Sequence, residues 1–102
     1  MPTIKNKEPY RLIFNATNQS WFQGETLIKE NRYNERGEEH GYWESYFESG
    51  KIFYSGEYIN GLKHGYWEGN FSGGQVWYKG TYDMGNYVGL WVFDNEKIFY
   101  AN

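Results

Sequence analysis

The chain has no cysteine among its 102 residues. A disulfide scaffold, a thiolate zinc site and a cysteine nucleophile are therefore excluded. Long apolar runs are also missing. The N-terminus reads Met1-Pro2-Thr3-Ile4-Lys5-Asn6-Lys7-Glu8, which holds no stretch of signal-peptide length, and nothing further along approaches a membrane span. The expectation is a soluble, cytoplasmic protein with no membrane partner. Asn15-Ala16-Thr17, Asn18-Gln19-Ser20 and Asn70-Phe71-Ser72 fit the glycosylation acceptor pattern. Without a secretion signal that pattern carries little weight. Positive charge is not in excess: 10 basic against 13 acidic side chains leave −3 at neutral pH. No bulk field attracts nucleic acid or anionic lipid.

The length suits about one domain. A chain this short buries only about 60 to 65 percent of its unfolded surface, which argues against a large core with a deep catalytic cleft. Mean hydropathy is low, at −0.89, yet aromatic residues make up 23% of the chain. Disordered chains are poor in aromatics, so this one should fold.

Internal repetition decides the reading. Gly41, Gly65 and Gly89 are spaced by 24, and so are Trp43, Trp67 and Trp91. Phe47 with Phe71, Gly50 with Gly74, Ile52 with Val76 and Tyr54 with Tyr78 keep the same register. Gly56 with Gly80, Tyr58 with Tyr82 and Gly61 with Gly85 complete the set. Full units span 41–64 and 65–88. A truncated unit spans 89–102, in which Phe93 to Ile98 replaces the step from Phe47 to Ile52. Residues 27–40 read as the second half of a degenerate unit, because Tyr33, Gly37 and Gly41 echo Tyr58, Gly61 and Gly65 with one residue inserted.

Each full unit carries two strand signals separated by turn signals. Tyr42 to Phe47 alternates, Glu48-Ser49-Gly50-Lys51 turns, and Ile52 to Ile59 runs back. Asn60-Gly61 is a hairpin signal, because both central residues of a type I′ turn have positive φ. Met84-Gly85 holds the same place in the next unit. Frequent glycine and abundant aromatic and β-branched residues disfavour helix. If 48–51 is a four-residue loop, Trp43 faces Gly56 and Ser45 faces Tyr54. If Asn60-Gly61 is a two-residue turn, Tyr54 faces Trp67 and Gly56 faces Gly65. An indole then lies over a glycine on the neighbouring strand, Trp43 over Gly56 and Trp67 over Gly80, filling the space that the missing side chain leaves. One face collects Trp43, Phe47, Ile52, Tyr54, Tyr58 and Trp67. The other is mixed and more polar, with Tyr42, Glu44, Tyr46, Phe53, Ser55 and Glu57. The second unit adds Tyr66, Glu68 and Trp77 to that mixed face. The expected fold is all-β: an elongated single-layer antiparallel β-meander of repeated hairpins, each of about 24 residues.

These residues resemble the MORN repeat, in particular its bacterial and phage variant. That pattern reads roughly Gly-x-Trp-x-x-Tyr/Phe-x-x-x-Gly, then Tyr-x-Gly-x-Tyr-x-x-Gly-x-x-x-Gly. It stands here as Gly41-Tyr42-Trp43-Glu44-Ser45-Tyr46-Phe47 with Gly50, then Tyr54-Ser55-Gly56-Glu57-Tyr58 with Gly61 and Gly65. The resemblance covers residues 27–102. It implies a β-meander that mediates protein–protein contacts or self-association, and some bacterial relatives carry an antitoxin label. Residues 1–26 depart from the pattern. Tyr10 to Phe14 and Trp21-Phe22 around a polar turn read as short strands, whose apolar side chains would cap one end of the sheet.

No catalytic constellation stands out, and no metal or cofactor is expected. His40 and His64 each precede a unit-opening glycine. Equivalent positions in adjacent hairpins lie roughly 9 to 10 Å apart, too far for shared ligation. Both histidines read as turn residues. The acidic residues Glu44, Glu48, Glu57, Glu68 and Asp83 read as a solvated face. Ser72-Gly73-Gly74 lacks the context of a phosphate loop and reads as a turn. Lys29, Arg32 and Arg36 alternate with Glu30, Glu35, Glu38 and Glu39, which cancels any basic patch.

The aromatic face is the informative feature. A single layer cannot bury both of its faces, so some of this surface must be covered by the N-terminal segment, a second copy or a partner. The candidate partner-binding residues are Trp43, Tyr54, Tyr58, Trp67, Tyr78, Tyr82 and Trp91. The expected function is a non-enzymatic protein–protein interaction module that works through this face or an edge strand, with a homodimer as one form. An alternative is a phage or bacterial inhibitor, antitoxin-like, that neutralises an effector by direct binding. A second alternative is a binder of a small planar ligand, nucleotide or sugar, on the aromatic face.

Overall fold

The computed structural model describes residues 8–94 and the backbone of residues 97–101. Among these residues there is no helix. Nine strands follow one another: β1 (Tyr10–Phe14), β2 (Asn18–Gln23), β3 (Thr26–Tyr33), β4 (Glu39–Tyr46), β5 (Ile52–Ile59), β6 (Leu62–Asn70), β7 (Val76–Asp83), β8 (Asn86–Phe93) and β9 (Lys97–Ala101). Each pairs antiparallel with the next, so spatial order equals chain order. The molecule measures 55 × 37 × 13 Å. That thickness holds one sheet and its side chains, since two packed sheets already stand about 10 Å apart between backbones. The fold is the single-layer meander of hairpins that the repeat predicts.

The turns between units follow their sequence. Asn60 and Gly61 have φ of 46° and 84°, and Met84 and Gly85 have 46° and 89°. Both central positions are left-handed, as a type I′ turn demands. Ile59 accordingly faces Leu62, and Tyr58 faces Lys63.

The loops within units are shorter than expected. Phe47 N–H donates to the Lys51 carbonyl at 2.8 Å, and Gly50 N–H donates to the Phe47 carbonyl at 2.9 Å. Gly50 has φ of 94°. The connection is a three-residue loop, Glu48-Ser49-Gly50, in which a turn closes on a left-handed glycine. Tyr46 therefore faces Ile52, and Phe53 is the surplus residue of a bulge before Ser45 meets Tyr54. In the second unit Asn70 faces Val76, and Trp77 is the surplus residue. These bulges change side-chain direction. Phe53 and Trp77, expected on the mixed face, lie 5.3 Å from the rings of Tyr54 and Tyr78.

The seams between units hold the indoles. Tyr54 faces Gly69 rather than Trp67, Ser55 faces Glu68, and regular pairing resumes where Glu57 meets His64. Gly56 thus stands opposite Gly65, Tyr66 and Trp67, not opposite Gly65 alone. Gly80 stands likewise opposite Gly89, Leu90 and Trp91. A slack of two residues preserves the alternation of faces while one strand bows outward. The bow lets the indole fold back over its neighbour. A Cβ on Gly56 would lie 2.2 Å from the Trp67 ring, and one on Gly80 would lie 2.2 Å from Trp91. The stacked pairs are therefore Trp67 on Gly56 and Trp91 on Gly80. Trp43 with Gly56 and Trp67 with Gly80 are neighbours in the ladder only.

The indole N–H also finds a partner in each seam. Trp67 donates to the Glu57 carbonyl at 3.0 Å, Trp91 to Thr81 at 3.1 Å and Trp43 to Arg32 at 3.1 Å. Each of these carbonyls borders the interruption of the ladder. Between β3 and β4 only two residue pairs form, Arg32 with His40 and Tyr33 with Glu39. Asn31 takes the place that glycine holds in the full units. Its Nδ2 donates to the Glu44 carbonyl at 2.8 Å, and its Oδ1 accepts from the Glu44 N–H at 3.1 Å. The side-chain amide, fully buried, replaces the missing backbone ladder.

β1 and β2 form a hairpin that extends the same sheet. Tyr10 and Trp21 pack against Tyr46, with ring centroids 5.1 and 5.6 Å away. The Tyr10 N–H donates to the Glu48 carbonyl at 2.8 Å. A β1 residue that reaches the β4–β5 loop shows that this hairpin leans over the Tyr46 side. Residues 1–7 of the N-terminal segment lie outside the described residues. At the other end Phe93 pairs with Lys97 and Val92 with Ile98. The stretch from Phe93 to Ile98 thus keeps the register of the step from Phe47 to Ile52, where Tyr46 faces Ile52 and the Phe47 N–H donates to the Lys51 carbonyl. Asp94, which follows Phe93, has a φ of 56°.

Candidate functional site

Strand alternation sets the aromatic face. On β5, Tyr54 and Tyr58 are four residues apart and point the same way, as do Tyr78 and Tyr82 on β7. The ring of Trp43 lies 5.5 Å from Tyr58, and Tyr58 lies 4.9 Å from Trp67. Trp67 lies 6.3 Å from Tyr82, and Tyr82 lies 5.0 Å from Trp91. Tyr54 stacks on Trp67 at 5.9 Å, and Tyr78 on Trp91 at 6.2 Å. All seven candidate residues thus belong to one continuous array.

They are not equally accessible. Trp43, Trp67 and Trp91 expose 2%, 0% and 2% of their surface. Each indole already has its hydrogen bond, and neighbouring tyrosines surround it. The three tryptophans are the floor of the site. The four tyrosines are half-buried and form its surface. Burial raises the phenol pKa of Tyr54, Tyr58 and Tyr78 above the usual value, and that of Tyr82 to about 12. These rings stay neutral across the physiological range.

Three further residues complete the surface. Lys63 stands across the ladder from Tyr58. Its Nζ lies 4.9 Å from the Trp67 ring centroid and 5.4 Å from that of Tyr82. Burial lowers its pKa, and the Glu39 charge partly offsets the effect. Tyr87 is exposed and leans on Trp91 at 4.8 Å. Trp77 is exposed at the rim, 5.3 Å from Tyr78. Two depressions meet here. One, of about 350 Å³, is lined by Lys63, Trp77, Tyr78, Tyr82, Tyr87, Trp91 and Phe93. The other, of about 450 Å³, is lined by Glu39, Tyr58, Gly61, Leu62, Lys63, Tyr82, Gly85 and Tyr87. Lys63, Tyr82 and Tyr87 belong to both, so the two form a single trough across β5 to β8. Lys63 was within reach of the sequence, because the two-residue turn at Asn60-Gly61 already places it opposite Tyr58. Trp77 was not, because only the bulge turns it to this side.

The opposite face carries tyrosine–carboxylate pairs. Tyr42 O–H donates to Glu44 at 3.0 Å, and Tyr66 O–H donates to Glu68 at 2.7 Å. Tyr46 also donates to Glu44. Tyr66 is pushed up to about 12, first by burial and then by the Glu68 carboxylate that holds its proton. These carboxylates are occupied by local donors.

The histidines join consecutive turns. The Nδ1 of His40 accepts from the Asn60 N–H at 3.0 Å, and that of His64 accepts from the Met84 N–H at 3.1 Å. Beside them, Gly61 N–H donates to the Glu39 carbonyl at 2.8 Å and Gly85 N–H to the Lys63 carbonyl at 2.7 Å. Each turn is thereby tied to the strand start of the preceding unit. Among the described residues no three His, Asp or Glu side chains gather as a metal-binding group.

Comparison with protein-family models, curated proteins and solved structures finds no match to this chain. Among the described residues, no helix is long and apolar enough to cross a membrane.

Proposed function

We propose that the chain is a non-enzymatic interaction module, built from MORN-type repeats, that binds another protein in the cytoplasm through the trough on its aromatic face. The repeat domain spans 27–102, and the N-terminal hairpin belongs to its capping end. The observation that carries the reading is the division of labour within the array. Three buried indoles fix the floor, while Tyr58, Tyr82, Tyr87 and Trp77 present aromatic surface held by rigid strands. Rigid tyrosine and tryptophan surfaces give large contact area at small entropic cost, and they are enriched where proteins meet.

The test is capture by the immobilised full chain from a lysate of the source cells. Wild type and a Tyr66→Ser variant on the opposite face should retain the same protein. A Trp77→Ser/Tyr87→Ser variant, altered only at exposed rim positions, should lose it. Equal capture by all three, or none by wild type, overturns the reading. Light scattering on the same samples shows whether the captured protein is a second copy.

A further inference from the structure

We infer that the trough recognises an extended, aromatic-flanked carboxylate on its partner, with Lys63 as the anchor that receives it. The inference rests on the interaction reading above and specifies the chemistry of the bound segment.

Lys63 is an unusual cation for this molecule. It sits in the middle of the aromatic face, and its Nζ lies over two ring faces, those of Trp67 and Tyr82. Among the described residues, no carboxylate comes within ion-pair distance of it. The ion pairs that do form are Arg32 with Glu30, Arg36 with Glu38, and His64 with Asp83. The strand register does not bring it a carboxylate either, since its cross-strand partner is Tyr58. A half-buried ammonium that lies over two rings and feels Glu39 only through space keeps N–H donors to offer. Burial already disfavours its charged form, and an incoming anion reverses that penalty.

The shape of the site selects the kind of anion. One ammonium with no second basic group beside it matches a single carboxylate better than a doubly charged phosphate. Both depressions meet at this residue, so the anion sits in the middle of the bound segment rather than at its end. On one side of Lys63 are Trp77, Tyr87 and Trp91, which suit an aromatic or apolar side chain. On the other side are Tyr58 and Leu62, with Glu39 at the margin. Glu39 repels a second acidic group there and favours a neutral or basic one. An open trough that crosses several strands fits an extended chain better than a compact ligand.

The probe is a peptide capped at both ends with the sequence Gly-Phe-Glu-Phe-Gly, compared with its glutamine counterpart by calorimetry. Wild type should bind the glutamate peptide at least about tenfold more tightly, the scale of one charge-assisted hydrogen bond. Added salt should shrink the difference. Lys63→Met keeps the apolar stem over Trp67, removes the charge and should make the two affinities equal. The comparison of peptides on wild type stands even if that variant does not fold. Equal binding of both peptides to wild type, or binding of neither, overturns the inference. The capture experiment separates this failure from failure of the wider reading. If Lys63→Met still retains the partner and the Trp77→Ser/Tyr87→Ser variant does not, the interaction face stands and the carboxylate anchor falls.

Discussion

The indole of Trp67 sits over Gly56, so close that a methyl group on that glycine would lie 2.2 Å from the ring. The ring needs the empty position, and the backbone at Gly56 needs the ring, which covers a stretch where the ladder is interrupted. Gly56→Ala must therefore push the indole out or bend the strand. Overpacking of this kind costs about 1 to 3 kcal/mol. Ser55→Ala, one residue earlier and half-buried, should stay within about 0.5 kcal/mol of wild type. Urea unfolding of the two variants checks the contrast. Equal stability of both would mean that the indole has room to move aside.

Asn31 makes a second, independent prediction. Its amide satisfies both the N–H and the carbonyl of Glu44 inside a fully buried position. Asn31→Leu leaves two backbone groups without partners, at a cost of about 2 to 4 kcal/mol. The damage should be local, because β4 to β9 keep their own ladders. Hydrogen exchange should show faster exchange first at Glu44 and in β3. Uniform loss of protection across the sheet would instead mean that the whole sheet unfolds as one unit.

The histidine links predict which replacements are tolerated. His64 contributes through Nδ1 as an acceptor for the Met84 N–H. Asparagine can place an oxygen close to that atom, whereas alanine cannot. His64→Ala should lower stability by about 0.5 to 1.5 kcal/mol, and His64→Asn should recover most of the loss. Thermal unfolding of the pair decides it. Equal loss in both variants would assign the effect to packing of the ring.

The tyrosines predict behaviour at high pH. Burial raises the Tyr82 phenol from 10.0 to about 12, and burial also raises Tyr54, Tyr58 and Tyr78. A phenol whose pKa is higher in the folded chain favours folding fully while both states are protonated. The contribution is present below pH 10 and is lost as pH rises through about 12, because the unfolded chain ionises first. Unfolding midpoints should thus hold up to about pH 10 and fall beyond it. Phenolate absorbance should lag behind that of free tyrosine until unfolding, then rise together with it. A titration like that of free tyrosine, with the fold intact, would contradict the burial of these rings.

Much of this was legible from residue order. The spacing of 24 between Trp43, Trp67 and Trp91 and between Gly41, Gly65 and Gly89 encodes equal hairpins. Asn60-Gly61 fixes its turn, and with it the contact between Tyr58 and Lys63. Alternation placed Tyr54, Tyr58, Tyr78 and Tyr82 on one side. These features are local: each depends on turn chemistry or on the period of two along a strand.

What residue order left open lies where strands slip. Whether the Ser72-Gly73-Gly74 loop closes at three or four residues depends on a few hydrogen bonds, and the choice decides whether Trp77 joins the aromatic rim. The register across each seam depends on how far a strand bows. Only the assembled sheet shows that Trp67 folds onto Gly56 and that Asn31 replaces a glycine. The same holds for Lys63, which comes to rest over two rings with no carboxylate of the described residues within ion-pair distance. The sequence by itself determined the number, length and turn chemistry of the hairpins, because those follow from interactions between near neighbours. The tertiary structure alone decided which indole covers which glycine, and which side chains remain for a partner. Those outcomes balance ladder hydrogen bonds against the packing of large rings across strands, and no single segment contains both sides of that balance.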